Sequence, residues 1–460
     1  MPDREVDVLI LGGGSAGYAC ALRSAQLGMS VALVEQSLLG GTCLHTGCVP
    51  TKALLHVAEV AESARSGELF GVLSSVDGID MSRVHEYKNS VVGKLHKGLE
   101  GLVASRGIQV VAGAGTLVGP RAVHVGDDTY TGRVLVLATG SHSISIPGFE
   151  VGGRILSSTE ALTLGSVPER IVILGGGVIG VEFGCVFNAL GSDVTIIEAL
   201  PRLVASEDPF VSTRLERALK KGGIRLCTAT KAVGAHQTVD TVELELDSGD
   251  IVTADYLLVA AGRGPNTSGL GYEEAGVALE GGFVAVDERL RTNLPGVYAV
   301  GDIVRGLQLA HRGFAHGVFV AEDIAGLAPA PIDEAAIPRV AYSHPEVASV
   351  GLTEAQANDR FGKVRTVVYD LAGNGKSQIL RTQGAIKLVQ AEEADGQGPV
   401  VGIHMIGARV GELIGEAQLI CADGMRPDRV AALIHAHPTQ NEALGEAHLA
   451  LAGKPLHAHG

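Results

Sequence analysis

The chain has 460 residues, of which 46% are hydrophobic, so it is too long for one core and can bury roughly two to four. Its 36 basic and 51 acidic side chains leave a net charge of −15, which argues against nucleic acid or an anionic membrane as the main partner. Apolar stretches are short and interrupted by glycine, and a strand pattern begins almost at the first residue. We therefore expect no transmembrane helix, no signal peptide and a cytoplasmic location.

The first predicted unit, residues 6–36, reads VDVLILGGGSAGYACALRSAQLGMSVALVEQ and is typical of strand, glycine turn, helix and strand. Gly12, Gly14 and Gly17 have the G-x-G-x-x-G spacing that lets a backbone approach a pyrophosphate at a helix amino terminus. The second strand ends at Glu35, whose carboxylate can hydrogen-bond a ribose hydroxyl. A glycine turn alone can be purely structural, but strand, helix and acid together predict a dinucleotide site.

Two cysteines follow in the segment GGTCLHTGCVPTK, and they could be structural thiols, metal ligands or a redox disulfide. A disulfide needs Cα atoms roughly 4.4–6.8 Å apart, whereas residues five apart on a regular helix rise about 7.5 Å and point in different directions. Gly47 lies between the two cysteines and Pro50 follows Cys48, and these two residues permit the irregular turn that pairing of Cys43 with Cys48 requires. In a reducing cytosol, a cysteine pair favours catalysis or metal binding over a static cross-link.

A zinc site could use Cys43, His45 and Cys48, but no second cluster of Cys and His follows to complete four ligands. We therefore favour a redox-active disulfide and expect no metal, with an inert pair and a metal site as the alternatives. The remaining cysteines stand singly in apolar segments and are expected to be buried packing residues: Cys20, Cys185, Cys227 and Cys421.

The first pattern recurs in RIVILGGGVIGVEFGCVFNALGSDVTIIEA, residues 170–199, with Gly175, Gly177, Gly180 and Glu198 in the same places. Each copy is also followed by a strand that ends in a glycine turn, VLVLATGS in the first and YLLVAAGRGPN in the second. This indicates duplication of a whole fold. A chain with two dinucleotide sites is expected to pass electrons between two cofactors; the alternative is that only one site works.

Downstream, TNLPGVYAVGD predicts a short buried strand that ends at Gly301 and Asp302, where an acid can bind a ligand hydroxyl or simply form a turn. From about Ile337, strand and helix patterns alternate without a nucleotide motif, which predicts an antiparallel sheet with helices that serves association.

Near the end, HAHPTQNEALGE places Glu442 five residues after His437. The glutamate can hold the imidazole as a general base for a dithiol, whereas His435 is expected to have no catalytic role.

Together these motifs resemble the FAD-dependent pyridine nucleotide–disulfide oxidoreductases and, within them, the dihydrolipoamide dehydrogenases. The resemblance covers nearly the whole chain. It implies a homodimer with shared active sites, FAD and NAD as cofactors, and oxidation of dihydrolipoamide on the lipoyl domains of 2-oxoacid dehydrogenase complexes. One departure is His45-Thr46, where many relatives carry Asn-Val.

The resemblance also implies roles for individual residues. Cys43 is the interchange thiol, Cys48 faces the flavin, Lys52 pairs with Glu182, and His437 acts on the disulfide of the other subunit. For FAD it implies Gly12, Gly14, Gly17, Glu35, Thr42, Lys52, Gly115, Thr139, Asp302 and Ala310. For NAD it implies Gly175, Gly177, Gly180, Glu198, Ala232 and Gly262.

The expected fold is α/β, with two Rossmann-like dinucleotide-binding domains, the second inserted into the first, and an α+β dimer-interface domain. The expected bounds are 1–145 for FAD, 146–265 for NAD, 266–335 for a central segment and 336–460 for the interface.

The competing function is an NADPH-dependent reductase of small disulfides, of the glutathione or mycothione type. Glu198 and the absence of arginine at Ala199 and Ala205 argue against it, although Arg202 lies nearby. A non-catalytic flavoprotein subunit is the other alternative, but Cys43, Cys48, His437 and Glu442 are all present.

Overall fold

The computed structural model describes residues 5–393 and 398–457. The first glycine turn lies on a seven-stranded sheet. Its first elements are β1 (Glu5–Leu11), α1 (Ser15–Gln26), β2 (Val31–Glu35), α2 (Gly41–His45), α3 (Cys48–Ser66), α4 (Met81–Ser105), β3 (Gln109–Ala112), β4 (Gly115–Gly119), β5 (Ala122–Val125) and β6 (Asp128–Leu137). The order along the sheet is β3-β2-β1-β6-β5-β4. Because β1 pairs in parallel with both β2 and β6, its end is buried and consists of the apolar run VLIL.

A parallel five-stranded sheet carries the second glycine turn. The elements here are β7 (Ser141–Ser143), β8 (Ile155–Leu156), α5 (Ser158–Ala161), β9 (Arg170–Leu174), α6 (Val178–Leu190), β10 (Asp193–Ile197), α7 (Pro209–Lys221), β11 (Arg225–Cys227), β12 (Ala232–Gln237), β13 (Val242–Leu246), β14 (Ile251–Ala254), β15 (Tyr256–Val259) and β16 (Arg263–Pro265). The order is β11-β10-β9-β15-β8, and β12, β13 and β14 form a small antiparallel sheet. Strands β7 and β16 pair with each other where the chain enters and leaves this unit.

The chain then returns to the first sheet. This segment contains β17 (Leu279–Glu280), β18 (Phe283–Val284), β19 (Val297–Ala299) and α8 (Ala310–Ile324). Strand β19 pairs in parallel with β6, and α8 packs closely on α1, where a Cβ built on Gly317 would lie 2.3 Å from the carbonyl oxygen of Ala16. The second unit is therefore inserted into the first, as the family resemblance implied.

An antiparallel sheet with helices forms the carboxyl-terminal region, and this prediction is also confirmed. Its elements are β20 (Arg339–Ala341), β21 (Glu346–Gly351), α9 (Glu354–Phe361), β22 (Val364–Asp370), α10 (Gly375–Leu380), β23 (Ala385–Ala391), β24 (Val400–Gly407), α11 (Val410–Ala422), α12 (Pro427–Ala431) and α13 (Glu442–Leu451). The order is β20-β21-β24-β23-β22, with every pair antiparallel. Within residues 5–393 and 398–457, no helix combines the length and apolar character needed to span a bilayer.

Candidate active site

A cavity of about 1360 Å³ lies between the two glycine turns. This volume exceeds the roughly 300–1,000 Å³ of a typical small-ligand pocket, so it has room for more than one ligand. Among the predicted residues, those of the first unit and the returning segment that line it are Gly14, Thr42, Cys43, Cys48, Lys52, Asp302 and Ala310. Those of the second unit are Gly175, Gly177, Glu182, Glu198, Ala232 and Gly262. The fold thus brings most of the predicted cofactor and redox residues to one space.

The first glycine turn is shaped to admit a phosphate. Gly12 has a φ of 108°, and a Cβ built on it would lie 2.3 Å from the carbonyl oxygen just beyond β6. A Cβ on Gly17 would lie 1.8 Å from the carbonyl oxygen of Gly12, whereas a Cβ on Gly14 would meet only Gly41, at 4.0 Å. Close backbone contacts therefore require the outer glycines, and the middle glycine leaves open space before the amino terminus of α1.

Glu35 is held beside this turn by two backbone donors. Its Oε2 accepts a hydrogen bond from Gly13 N at 2.7 Å, and its Oε1 accepts one from Ser37 N at 2.8 Å. The carboxylate is therefore fixed at the end of β2, where it can accept hydrogen bonds from ribose hydroxyls. The turn and the acid together fit a dinucleotide.

The second turn repeats this geometry. Gly175 has a φ of 115°, and a Cβ on Gly180 would lie 1.9 Å from the carbonyl oxygen of Gly175. A Cβ on Gly177 would meet no atom within 4 Å. Glu198 Oε2 accepts from Gly176 N at 2.6 Å. The second unit therefore presents the same open turn and fixed carboxylate, and it fits a second dinucleotide.

Asp302 is fixed by the strands that connect the two units. Its Oδ2 accepts a hydrogen bond from Ser141 Oγ at 2.5 Å, and Arg263 Nε donates to the same Ser141 Oγ at 2.8 Å. Ser141 belongs to β7 and Arg263 to β16, and both line the cavity. Burial lowers the pKa of Arg263, an effect that the charge of Asp302 opposes. No sequence pattern points to Ser141 or Arg263, because Ser141 meets Asp302, and Arg263 meets Ser141, only in the folded chain.

Five of the ten residues named for FAD do not line the cavity: Gly12, Gly17 and Glu35 at the first turn, and Gly115 and Thr139. A Cβ built on Gly115 would lie 2.6 Å from Leu11 Cδ1, so sheet packing requires a glycine at this position of β4. Thr139 Oγ1 donates to the carbonyl oxygen of Asn266 at 2.6 Å. Their contact with FAD stays a prediction.

The two cysteines lie on consecutive helices separated by a break. Cys43 is within α2, Cys48 is the first residue of α3, and Thr46 and Gly47 interrupt the helix between them. Pro50 lies in the first turn of α3, where a missing N–H costs no intrahelical hydrogen bond. The break was the local feature that pairing required. Of the other cysteines, Cys20 and Cys185 are buried as expected, whereas Cys227 and Cys421 are only partly buried, which corrects the expectation for those two.

The electrostatics separate the roles of the two thiols. A hydrogen bond between Cys43 and Cys48 raises the pKa of Cys43 and lowers that of Cys48 to about 7, and the charge of Lys52 adds to the lowering. Lys52 Nζ lies 2.9 and 2.8 Å from the two carboxylate oxygens of Glu182, which is 2% exposed. Tyr342 N also donates to Glu182 Oε1 at 3.0 Å. The buried Glu182 carboxylate in α6 therefore links Lys52 of α3, whose side chain is 34% exposed, to the backbone just after β20.

His45 holds the chain before α2. Its Nε2 lies 2.9 Å from the carbonyl oxygen of Leu39, and its ring meets that of His96 edge to face at 4.9 Å. His96 Nδ1 lies 3.1 Å from the same carbonyl oxygen. His45 is therefore engaged by backbone and by His96. In the part of the chain that the structure describes, no group of three or more His, Cys, Asp or Glu side chains is arranged to hold a metal ion.

His437 and Glu442 meet as a dyad near the carboxyl terminus. His437 Nδ1 lies 2.8 Å from Glu442 Oε2, and the histidine side chain is 76% exposed. Neither residue belongs to the lining of the cavity. The dyad of one chain therefore lies outside the cavity that the cysteines of that chain line, and its imidazole is open to solvent or to another molecule.

Proteins similar to this chain share its length and architecture. A dihydrolipoyl dehydrogenase of Bacillus subtilis is 39% identical over 473 residues, covering 98% of this chain and 99% of that one. A dihydrolipoyl dehydrogenase of Geobacillus stearothermophilus is 39% identical over 462 residues, with 98% and 97% covered. Among solved structures, LpdA from Mycobacterium tuberculosis has a TM-score of 0.90 at 25% identity, covering 97% of this chain and 99% of that one. The flavoprotein disulfide reductase RclA from Escherichia coli has a TM-score of 0.85 at 26% identity, with 96% and 99% covered.

Two family models match nearly the whole chain. The model described as pyridine nucleotide-disulphide oxidoreductase matches residues 6–317, which include both glycine turns, Cys43 and Cys48. The model described as the dimerisation domain of pyridine nucleotide-disulphide oxidoreductases matches residues 337–448, which include the histidine–glutamate dyad. The chain belongs to the pyridine nucleotide-disulphide oxidoreductase family.

Proposed function

We propose that this protein oxidises protein-bound dihydrolipoamide to lipoamide, with NAD⁺ as the electron acceptor. The observation that carries the proposal is that Cys43 and Cys48 both line the cavity that joins two dinucleotide-shaped turns. The names and lengths of the relatives support the same activity. Lipoyl domains of 2-oxoacid dehydrogenase complexes are then the proposed macromolecular substrate.

The two turns are assigned to two cofactors. We place FAD at the turn that begins with Gly12 and NAD at the turn that begins with Gly175. We also propose that the residues which the family resemblance implies for each cofactor contact that cofactor. Bound in this way, FAD would accept the electron pair of the reduced cysteines and supply a hydride to NAD⁺. The chain itself contributes the cradles, the carboxylates of Glu35 and Glu198, and the fixed Asp302.

The disulfide exchange follows from the two thiols and the base. His437 of the partner subunit accepts a proton from one thiol of dihydrolipoamide, and the resulting thiolate attacks the Cys43 sulfur. The bond between Cys43 and Cys48 breaks, and Cys48 leaves as a thiolate, which the nearby charge of Lys52 stabilises because it lowers the pKa of Cys48. The sulfur of the second substrate thiol then attacks the substrate sulfur bound to Cys43 and gives its proton to the Cys43 sulfur. The bond to Cys43 breaks, lipoamide leaves, Cys43 is left as a thiol, and His437 keeps the proton of the first substrate thiol. The substrate loses two electrons and the enzyme disulfide gains them.

Lys52 and Glu182 are assigned to the electrostatics of this step. The Lys52 ammonium lowers the pKa of Cys48, while Glu182 opposes it. Because Glu182 is buried and holds both Lys52 and Tyr342 N, it fixes where the positive charge lies. We propose that the pair positions Lys52 to stabilise the Cys48 thiolate.

The dimerisation domain indicates a homodimer. We propose that its two active sites are shared, because the His437 dyad is exposed and lies outside the cavity of its own chain. We also propose the domain bounds 1–145, 146–265, 266–335 and 336–460. The first two divisions lie close to β7 and β16, which pair where the chain enters and leaves the second unit. The expected cytoplasmic location stays a prediction that cell fractionation would test.

Steady-state turnover of dihydrolipoamide with NAD⁺ and with NADP⁺ tests the function. Glu198 accepts from Gly176 N and Leu200 N and would repel a 2′-phosphate, while Arg202 donates to the carbonyl oxygen of Ala205 at 2.6 Å. We therefore expect turnover with NAD⁺ and a preference over NADP⁺ of at least about tenfold. Reduction of glutathione or mycothione disulfide by NADPH, without dihydrolipoamide oxidation, would favour the competing reductase. No turnover of either kind would favour a non-catalytic flavoprotein.

A further inference from the structure

The carboxylate of Glu442 has a different partner for each oxygen. Oε2 meets His437 Nδ1 at 2.8 Å, and Oε1 accepts a hydrogen bond from Asn374 Nδ2 at 3.2 Å. Asn374 is 2% exposed and lies just before α10, far from Glu442 in the sequence. The mechanism above does not use it.

The orientation of the Asn374 amide is determined by its other contacts. Its Oδ1 accepts a hydrogen bond from Ser377 N at 2.8 Å and so caps α10. A backbone N–H can only donate, so this contact identifies the oxygen and directs Nδ2 to the other side. There Nδ2 also donates to the carbonyl oxygen of Thr439 at 3.0 Å. One amide therefore contacts both the turn after His437 and the carboxylate of Glu442.

The beginning of α10 also supports the histidine ring. A Cβ built on Gly375 would lie 3.7 Å from His437 Cε1, so the ring packs beside the first residue of the helix. Below it, Ser377 Oγ lies 3.0 Å from Gln440 Oε1, and both side chains are buried. The segment that carries the dyad is thus joined to α10 by several polar contacts, and Asn374 is the member that contacts the carboxylate.

We propose that Asn374 is a positioning residue for the base of the active site, an inference that rests on the proposed function. The terminal torsion of a glutamate side chain is broad, so one hydrogen bond from an exposed imidazole does not fix it. With Oε1 held by Asn374, Oε2 stays directed at His437 Nδ1 and keeps the proton on that nitrogen. Nε2 then carries the free lone pair, on the exposed side from which the substrate thiol of the neighbouring site arrives.

A second arrangement of the same kind provides a matched control. His435 Nε2 lies 2.9 Å from Glu416 Oε1, and Asn441 Nδ2 donates to Glu416 Oε2 at 2.6 Å. The side chain of His435 is only 10% exposed, so this imidazole has little access to a substrate. Breaking the contact at Asn441 perturbs a histidine–glutamate–asparagine group in the same segment but removes no hydrogen bond of His437 or Glu442.

The test compares Asn374→Leu, Asn374→Asp and Asn441→Leu in the dimeric holoenzyme. The measurements are the ¹⁵N NMR signals of His437, which report its tautomer, and the pH profile of kcat with dihydrolipoamide. Among the hydrogen bonds that Asn374→Leu removes, the one to Glu442 acts on the base, and its loss should lower kcat about five- to tenfold at every pH and mix the two tautomers. Asn441→Leu should lower the thermal midpoint but leave the His437 tautomer unchanged.

Asn374→Asp gives a signature that a merely structural role would not. Two carboxyl groups this close share a proton at low pH, where one can still donate to the other, and they repel at high pH. The ratio of its kcat to that of the native protein should therefore fall as pH rises, whereas the ratio for Asn374→Leu stays flat. If Asn374→Leu does not fold, this variant still carries the test.

Three outcomes separate this inference from the proposed function. A native tautomer and native kcat in Asn374→Leu would show that Asn374 only caps α10, and the inference would be wrong. An equal change in the His437 tautomer in Asn441→Leu would show general loosening of the segment and would also overturn it. Full turnover of dihydrolipoamide in His437→Gln would instead remove His437 as the base of the proposed mechanism, whereas no turnover in the native protein would overturn the proposed function itself.

Discussion

The two glycine turns have almost the same contacts but different surroundings. Gly12 and Gly175 have φ values of 108° and 115°, and a Cβ on either would lie 2.3 or 2.4 Å from the carbonyl oxygen beyond the neighbouring strand. Glu35 and Glu198 each accept a hydrogen bond from a glycine N–H of their own turn, at 2.7 and 2.6 Å. The two units therefore share the hydrogen bonds of the glycine turn and its glutamate as well as the sequence pattern.

The difference lies in the cysteines. In the first unit, Cys48 begins a helix, shares a hydrogen bond with Cys43 and has a pKa lowered to about 7. In the second unit, Cys185 lies within α6, and burial raises its pKa to about 12. Equivalent cradles can hold equivalent ligands, but only a thiol at an irregular helix start beside a cation is available for exchange. The comparison predicts that the units respond differently to matched substitutions.

The largest difference should come from the thiols. Cys43→Ser should abolish turnover because it removes the attacked sulfur, and Cys227→Ser in the second unit should leave turnover close to native. His437→Gln should lower turnover about 10²- to 10⁴-fold, the usual contribution of a general base. Steady-state kinetics with dihydrolipoamide and NAD⁺ measure all three.

Mixing Cys43→Ser with His437→Gln then tests whether the site is shared. With random subunit exchange, half of the dimers pair the two variants, and one of their two sites carries neither defect. Activity should rise from near zero to about one quarter of native. Each pure variant incubated alone is the control. If activity stays near zero although mass spectrometry shows mixed dimers, thiol and base belong to the same chain.

The next largest difference should come from the middle glycines. A Cβ on Gly14 or Gly177 would meet little protein, so Gly14→Ala and Gly177→Ala should fold normally and block only their ligands. A methyl group forced against a phosphate costs about 1–3 kcal/mol, or roughly 5- to 150-fold in affinity. Gly14→Ala should lose bound FAD, measured by absorbance. Gly177→Ala should keep FAD and raise the KM for NAD⁺; loss of flavin from this variant would contradict the assignment of the two turns.

A smaller difference between the two units is expected when the carboxylates of Glu35 and Glu198 are replaced. Glu198→Gln combined with Ala199→Arg removes the repulsion of a 2′-phosphate and adds a positive charge, so the preference for NAD⁺ over NADP⁺ should fall about tenfold or more. Glu35→Gln is the matched control, because the first turn is assigned to FAD and should not affect the choice between NAD⁺ and NADP⁺. Ratios of kcat/KM for the two nucleotides measure the effect. An unchanged ratio would mean that another element recognises the ribose.

Sequence reasoning worked best where both partners lie close in the chain. The glycine turns and the pair of His437 and Glu442 are local patterns, so spacing was enough to predict them. Ser141 contacts Asp302 across 161 residues, and Asn374 contacts Glu442 across 68. Nothing in the spacing of such residues shows that they meet, because the register of strands and the packing of helices bring them together. Lys52 and Glu182, 130 residues apart, were paired only through the family resemblance.

The smallest effect should appear in the acidity of the Cys48 thiol. The largest cause of its lowered pKa is the hydrogen bond from Cys43, which donates to the thiolate. Cys43→Ser keeps a donor at that position and Cys43→Ala removes it, so the two variants form a matched pair with the same single active-site thiol. Without the donor the thiolate is less stable, and the pKa of Cys48 rises. A hydrogen bond of about 1 kcal/mol corresponds to a difference of about 0.7 pKa units between the variants.

Alkylation by iodoacetamide across pH measures this difference, because only the thiolate reacts and its fraction grows as pH rises through the pKa. At pH 7, Cys43→Ala should therefore react more slowly than Cys43→Ser, and the two should converge well above the pKa. Cys185 is the internal control, since its raised pKa and burial should keep it unmodified in peptide mass spectra. Equal alkylation profiles would mean that Lys52 and the start of α3 stabilise the thiolate without help from Cys43. The contrast between the two units would then rest on helix position and charge alone.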